Sequence, residues 1–315
     1  MSIVTPILNG ARYLDECVAS VLNQSYGNIE HVFADGGSTD GTLEKLEGYR
    51  REYPDRIRYF SCPDKGVGSA LKRALAESCG DIIGWIDSDD VYEPSAVEIA
   101  VGRFGDDKAV NFVYGGCRII DEVGKPIGCF VIRDYDRKVW LNEWHYIVFC
   151  ATFFRREVVD RVGFVNDLGN DVFFYMKVAR RFRLVRLEET LTNWRLHGDS
   201  ISLKASDREA SIRRNRAKED FLLVLKHGGS VFSPKALSYF TVIQPSLSKR
   251  LKPVLGWTFP FFGRWNHQIR LSSAIVRKEM GSYAWPLFKG FVRETRDAVL
   301  QVLDGIVRRF GRRDP

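Results

Sequence analysis

The chain has 315 residues, 45% of them apolar, which is enough for a sizeable hydrophobic core and argues against an intrinsically disordered protein. Its net charge of +7 conceals an asymmetry: residues 1–200 carry 25 Lys and Arg against 31 Asp and Glu, whereas residues 201–315 carry 22 against 9. No apolar stretch reaches the roughly 20 residues that a membrane-spanning helix requires, so no spanning helix is predicted.

Short β-rich runs alternate with amphipathic segments of helix length through the first 120 residues. This alternation predicts an α/β fold with a mostly parallel sheet and helices on both faces. Four strands are each followed by a helix: SIVTPIL and ARYLDECVASVLNQ, IEHVFAD and TLEKLEGYRREY, IRYFSC and VGSALKRALAES, and DIIGWID and PSAVEIAVGRF.

The rest of the chain has a different pattern. Residues 140–200 are mixed and aromatic-rich, with a helix predicted in NDVFFYMKVARRF and a strand in FRLVRLEETLTNW. After about residue 203 the β pattern fades into basic segments with a helical pattern. We therefore expect one domain over residues 1–203, in halves 1–110 and 111–203, and a basic, aromatic-rich helical extension over 204–315.

The six cysteines are scattered, with no C-x-x-C pair and no nearby His cluster. Neither a zinc site nor a disulfide framework is predicted, and a reducing, cytoplasmic location is expected. A strand-like run begins directly after Met1, so no signal peptide is expected in this sequence.

Polar residues follow the predicted strands, where ligands bind in open α/β sheets. In FADGGSTDGT, two glycines permit close backbone approach, and the next helix N-terminus favours anions. An ordinary strand-turn-helix junction is the alternative explanation of this segment. The residues after the first three strands are Thr5, Pro6 and Asn9; Asp35, Gly36 and Gly37; and Pro63, Asp64 and Lys65.

The fourth strand ends on an acidic cluster, which we define as Asp87, Ser88, Asp89 and Asp90. Paired carboxylates repel one another, so a cation usually accompanies them, and oxygen ligands favour Mg2+ or Mn2+ over zinc. Mg2+ takes one or two protein carboxylates and fills its other positions with water and phosphate oxygens. The D-x-D pattern therefore indicates a diphosphate-bearing substrate. The alternative is that these acids cap the helix beginning near Pro94.

Two nucleotide-binding motifs are missing from the sequence. It contains no G-x-x-x-x-G-K-[ST] loop, and DKGVGSALKRA lacks the third glycine of G-x-G-x-x-G. Kinase and dehydrogenase functions therefore lose their best support.

Four ordered blocks over about residues 2–203 resemble family 2 of the glycosyltransferases, inverting enzymes of GT-A fold that use nucleotide sugars. The resemblance implies that residues 1–203 form a GT-A catalytic domain. Departures from the usual pattern occur at Ala34, Lys72 and Asn170. The blocks are SIVTPILNGARYLDECVASVLNQSYGNIEHVFADGGSTDGT, PDKGVGSALKRAL, GDIIGWIDSDD and CATFFRREVVDRVGFVNDLGNDVFFYMKVARRF.

The same resemblance implies roles for individual residues. Asp35 is expected to contact the nucleotide base, with Thr5 and Pro6 against the base and ribose. Asp89 is assigned to a metal, Mn2+ or Mg2+, and Asp87 to the ribose or the metal. The further residues assigned to nucleotide-sugar binding are Asn9, Gly36, Lys65 and Ser88.

Asp171 occupies the place of the family's general base, at the start of a helix on the acceptor side. Displacing a nucleoside diphosphate requires a carboxylate to take the acceptor hydroxyl's proton while a metal neutralises the leaving phosphates. The alternative role for Asp171 is a helix N-cap or first-turn acid. His197 lies where the family often carries a histidine near the diphosphate, and a surface-loop histidine is the alternative.

The predicted function is transfer of a hexosyl or N-acetylhexosaminyl group from a nucleotide sugar, UDP-sugars foremost, to a glycan or lipid-linked acceptor in cell-surface polysaccharide or glycolipid synthesis. A sugar-1-phosphate nucleotidyltransferase is one alternative, but its Gly-rich basic N-terminal loop is absent from SIVTPILNGARYL. A non-catalytic nucleic-acid-binding module is another. It leaves the acidic strand tips unexplained, and no nucleic-acid partner is expected.

The basic tail suggests an anionic partner. Each Lys or Arg near an anionic leaflet contributes roughly 1 kcal/mol, so residues 245–315 are predicted to attach peripherally to the cytoplasmic face of a membrane. Packing on the catalytic domain or formation of a homodimer is the alternative use of this segment.

Overall fold

The computed structural model of the chain describes residues 1–63, 66–142, 147–165, 171–198 and 269–271. The chain divides into two compact units, residues 1–135 with 147–195, and residues 136–146 with 196–315. Nearly all of the predicted extension lies outside the described residues, so the boundary at 203 and the helical character of 204–315 stay predictions. No described helix combines the length and the apolar character needed to cross a bilayer.

Every strand and helix predicted in the first 110 residues forms. The predicted alternation of strands and helices is therefore confirmed. They are β1 (Ser2–Ile7), α1 (Leu14–Leu22), β2 (Glu30–Asp35), α2 (Thr42–Glu52), β3 (Ile57–Ser61), α3 (Val67–Glu77), β4 (Ile82–Trp85) and, after the short unpredicted strand β5 (Val91–Tyr92), α4 (Ala96–Asp106).

The later part of the chain adds elements that the sequence pattern did not predict, together with the predicted α7 and β9. In the second unit, β10 is a strand within the predicted helical extension. The elements are β6 (Phe112–Ile120), β7 (Pro126–Phe130), α5 (Arg137–Asn142), a 3-10 turn (Phe149–Ala151), β8 (Thr152–Arg155), α6 (Arg156–Val162), α7 (Asp171–Val178), β9 (Leu184–Arg195) and β10 (Ile269–Leu271).

The sheet of the first unit runs in the order β3-β2-β1-β4-β8-β6-β7, with β9 beside β6 and β5 beside β9. The first four strands are mutually parallel, as predicted. Strand β8 is antiparallel to both β4 and β6, and β7 is antiparallel to β6. The α/β class is confirmed, and the sheet as a whole is mixed because β7 and β8 run opposite to the first four strands.

The core lies against the central strands. All six residues of β1 are buried, as expected for a parallel strand covered on both faces. One cluster joins α1 and α2 to the sheet through Leu14, Phe33 and Leu46, each fully buried. Full burial of such a side chain contributes about 1.5–3 kcal/mol. The central strands are therefore well packed, and they hold the loops at their carboxyl ends in place.

Gln24 is the last residue of the first predicted helix. It is buried, and its side chain connects two elements by hydrogen bonds. Its Nε2 donates to the carbonyl oxygens of Ser20 at 2.9 Å and Glu93 at 2.8 Å, and its Oε1 accepts the N–H of Val97 at 3.0 Å. These bonds satisfy the buried amide. They also fix the end of α1 against the segment that leads from the acidic cluster into α4.

Candidate functional site

The acidic cluster forms a turn between β4 and β5. The Ile86 N–H donates to the Val4 carbonyl at 3.2 Å, which extends the alignment of β4 with β1 by one residue. The turn closes where the Asp90 N–H donates to the Asp87 carbonyl at 3.1 Å. Three residues of the cluster are half-buried, whereas Asp90 is fully buried.

The cluster does not cap a helix. Helix α4 begins only at Ala96, its N-cap residue is Ser95, and β5 separates it from the cluster. The helix-capping alternative therefore fails, and the acids at this strand tip need another explanation.

The charges of Asp89 and Asp171 both act on the carboxyl group of Asp87. Burial, followed by the negative charge of Asp89 and then that of Asp171, raises the pKa of Asp87 to about 7, although a hydrogen bond from the Trp85 indole opposes the shift. That bond runs from Nε1 to Oδ1 at 2.8 Å. Repulsion of the Asp87 carboxylate by these two negative charges is a feature that a bound cation would relieve.

Asp87 and Asp89 fit a metal site in which the protein supplies only two carboxylate ligands. Among the described residues, no group of three or more His, Cys, Asp or Glu forms a complete metal cage. Mg2+ and Mn2+ prefer oxygen ligands, and Mg2+ commonly takes one or two carboxylates and completes its shell with water and substrate phosphates. The two half-buried carboxylates match that donor set.

Asp90 has a structural role and is not counted among the candidate metal ligands. Its Oδ1 accepts the backbone N–H of Arg195 at 2.8 Å. Burial, then the neighbouring Cys150 thiol and the charges of Asp89 and Asp87, raises the pKa of Asp90 well above its usual range. Asp90 thus anchors the turn to the end of β9, whereas the other three residues of the cluster are half-buried.

Thr5 and Pro6 lie inside β1, so the interpretation that they follow the first strand is wrong. The strand runs on to Ile7, and both residues are buried. The Thr5 hydroxyl shares a 2.8 Å hydrogen bond with Nε2 of His31 in the interior. Their contact with a nucleotide stays a prediction.

Asn9 joins the first loop to the turn after β2. It adopts a left-handed conformation, with φ of 53°, which asparagine tolerates better than most residues. Its N–H donates to Ser38 Oγ at 2.7 Å, and its Oδ1 accepts the N–H of Thr39 at 2.9 Å. The two loops at this edge of the sheet are therefore held together.

Asp35 is fully buried and organises the glycine-rich turn. Its carboxylate accepts the N–H of Gly37 at 2.9 Å and the Ser61 hydroxyl at 2.6 Å, together with the N–H and hydroxyl of Ser38. Burial acts to raise the pKa of Asp35, but the hydrogen bonds outweigh it and keep this pKa below its usual value. The structure thus gives Asp35 a structural role, and its contact with a base stays a prediction.

The structure gives contacts for some of the remaining predicted residues and not for others. Gly36 follows β2 directly, and its N–H donates to the Ile7 carbonyl at 2.9 Å. Ser88 lies against the first loop, because a Cβ added at Gly10 would come 2.9 Å from its Oγ. His197 is half-buried in the second unit, and its role stays a prediction. Lys65 lies outside the described residues.

Sequence reasoning did not select Arg195, which ends β9. This arginine is fully buried, and its Nε donates to the Asp89 carbonyl at 2.9 Å. A single arginine at the end of a predicted strand is ordinarily expected to be solvated. Its burial and its contact with the acidic cluster depend on chain segments far away in sequence.

Comparison with known proteins finds a matching family and several relatives. Residues 2–163 match the family described as Glycosyl transferase family 2. The chain is 32% identical over 217 residues to a chondroitin synthase of Escherichia coli, covering 66% of this chain and 30% of that protein. It is 32% identical over 210 residues to a hyaluronan synthase of Pasteurella multocida, covering 65% of this chain and 21% of that protein. The chain thus spans less than a third of these two relatives.

Solved structures share the fold at low sequence identity. TarS 1-349 of S. aureus, in complex with UDP-GlcNAc, aligns with a TM-score of 0.58 and 16% identity over 98% of this chain and 91% of that one. The mannosyltransferase PcManGT of Pyrobaculum calidifontis, in complex with GDP-Man and Mn2+, aligns with a TM-score of 0.56 and 18% identity over 99% and 87%. The predicted GT-A architecture is thereby confirmed, and the match over half of the sequence shows that the chain belongs to glycosyl transferase family 2.

Proposed function

We propose that this protein transfers a hexosyl or N-acetylhexosaminyl group from a nucleotide-diphosphate sugar to a hydroxyl of a glycan or lipid-linked acceptor, with inversion at the anomeric carbon. The observation that carries the proposal is the turn at the tip of β4, where Asp87 and Asp89 are half-buried and the charge of Asp171 helps to raise the pKa of Asp87. It supports a donor-side pair of acids and an acceptor-side acid at one reaction centre.

On the donor side, Asp87 and Asp89 would hold Mn2+ or Mg2+ together with the donor's diphosphate. When bound, the cation neutralises negative charge on the leaving phosphates. Binding of a cation favours the ionised form of Asp87, whose pKa is raised by burial and then by the neighbouring carboxylates. Metal and nucleotide should therefore strengthen each other's binding.

On the acceptor side, Asp171 acts as the general base from the first residue of α7. It takes the proton of the acceptor hydroxyl as that oxygen forms its bond to the anomeric carbon. The bond between the anomeric carbon and the diphosphate oxygen breaks, and the nucleoside diphosphate leaves with the electron pair. A single displacement from the opposite face inverts the configuration.

The relatives support a setting in polysaccharide synthesis. Two of them are a chondroitin synthase and a hyaluronan synthase, and the two structural neighbours hold UDP-GlcNAc and GDP-Man. The two structural neighbours support a nucleotide-sugar donor, and UDP-sugars come first among the donors to test.

Thermal unfolding of the full chain with a panel of nucleoside diphosphates, with and without Mn2+, tests the proposal. A ligand that binds only the folded state raises its Tm. We expect a Mn2+-dependent rise for one base that disappears in Asp89→Ala. The matched control is Asp81→Ala, an exposed acid just before β4 at the opposite end of that strand, and it should keep the rise. A wild-type chain that responds to no nucleotide would overturn the proposal.

A further inference from the structure

We infer that Arg195 is a positioning residue that fixes the peptide carrying Asp89, and this inference rests on the proposed function. Two bonds join Arg195 to the acidic cluster: its Nε donates to the Asp89 carbonyl at 2.9 Å, and its backbone N–H donates to Asp90 Oδ1 at 2.8 Å. One residue therefore holds two successive residues of the strand tip.

The acidic cluster would have freedom to shift without such a contact. Its first residue follows β4, and its last precedes β5, where Val91 and Tyr92 pair with Asn193 and Thr192 of β9. Asp89 lies between these anchored ends in a turn. The Arg195 guanidinium connects to the backbone at this central position, so it restrains the direction in which the Asp89 carboxylate leaves the chain.

The buried charge of Arg195 is balanced locally. Its Nη2 donates to Glu16 Oε2 on α1 at 2.6 Å, and the guanidinium lies over the Tyr13 ring at 4.6 Å. Nη1 lies 3.4 Å from the carbonyl oxygens of Asp121 and Glu122 at the turn after β6. A buried cation requires partners of this kind to offset its desolvation. These contacts orient the guanidinium plane from three sides.

The same contacts argue against direct phosphate binding by Arg195. The side chain has no exposed surface, and its donors face protein oxygen atoms. Only the planar guanidinium offers donors in three fixed directions, because a lysine ammonium is a compact point charge on a flexible stem. Arg195→Lys should therefore keep the charge and lose the restraint.

Binding of Mn2+ in the presence of UDP, followed by loss of the free-ion electron paramagnetic resonance signal, tests the inference on the full chain. Groups that orient metal ligands typically affect affinity by about 10–100-fold. We expect Arg195→Lys to weaken Mn2+ binding about tenfold. The matched control is Arg118→Lys, which alters an arginine of β6 that contacts Glu93 and Asn193, and it should bind Mn2+ like the wild type.

A second variant covers the case in which Arg195→Lys does not fold. Glu16→Ala removes the partly exposed acid that orients Arg195 and leaves the arginine in place. It should weaken Mn2+ binding in the same direction but less. Wild-type affinity in every folded variant, together with loss of binding in Asp89→Ala, would overturn the role of Arg195 and leave the proposed function standing. A wild-type chain that binds no Mn2+ with UDP would overturn both.

Discussion

Asp171, at the start of α7, lies close enough to Asp87, at the tip of β4, for its charge to raise the pKa of that carboxyl. The two acids come from the two halves of the predicted domain. Their proximity connects a candidate base on the acceptor side with a candidate metal ligand on the donor side. A helix-capping role alone would not require this placement.

Asp171→Asn should abolish sugar transfer while preserving the fold and nucleotide binding. A positioned general base typically contributes about 10²–10⁴-fold in rate. Release of nucleoside diphosphate in the presence of donor and acceptor measures the rate, and the Mn2+-dependent rise in Tm measures binding. Asp160→Asn, an exposed acid on α6, is the control. Retention of most of the activity by Asp171→Asn would refute the assignment.

Gly10→Ala should destabilise the protein and disturb the site, whereas Gly48→Ala should stabilise it. A Cβ at Gly10 would approach Ile7 Cγ1 to 2.8 Å and Ser88 Oγ to 2.9 Å. Overpacking of this kind costs about 1–3 kcal/mol. A Cβ at Gly48, inside α2, meets nothing within 4 Å, and replacing a helical glycine gains about 0.5–1 kcal/mol. Denaturant unfolding measures the free energy of unfolding of both variants. Equal values for the two would contradict the prediction.

His31 should make stability depend on pH in the acid range. Burial, followed by the charge of Arg56, lowers the pKa of His31 from 6.5 to about 3. Between these values the unfolded chain binds the proton and the folded chain does not, so stability falls as the pH falls, by at most about 1.4 kcal/mol per pH unit from this group. Unfolding by urea from pH 7 to pH 4.5 should therefore show a shallower slope for His31→Gln.

Thr5→Val is the matched control for the histidine. It removes the hydrogen-bond partner of Nε2 and keeps the imidazole. We expect lower stability at every pH with the wild-type slope. Identical slopes for wild type and His31→Gln would show that the buried histidine does not govern the acid response.

The basic tail yields a prediction about membranes. Removal of residues 245–315 should abolish sedimentation with anionic liposomes if those residues attach the protein to a surface. Because the attraction is electrostatic, sedimentation of the full chain should also weaken as salt increases. Equal sedimentation of the truncated chain would contradict this use of the tail and would favour packing or dimer formation.

Local sequence determined the alternating strands and helices of the first 110 residues and the position of the acidic cluster after β4. The apolar runs of β1 to β4 and the amphipathic segments between them are properties of neighbouring residues, so their periodicity could be read directly. The D-x-D pattern of Asp87 and Asp89 followed from its position after β4. The carboxyl ends of parallel strands share one edge, which made their convergence with the glycine-rich turn predictable.

Tertiary structure alone decided which polar groups face inwards and which hold the site. Asp90 lies beside Asp89 in sequence, yet it is buried against the backbone of Arg195. Thr5 and Asp35 look like exposed strand-end residues in the sequence, but their side chains are bonded to His31, Ser38 and Ser61. Burial and hydrogen bonding depend on segments far away along the chain, because only the folded sheet brings β9 against the tip of β4. Local periodicity carries no information on those distant partners.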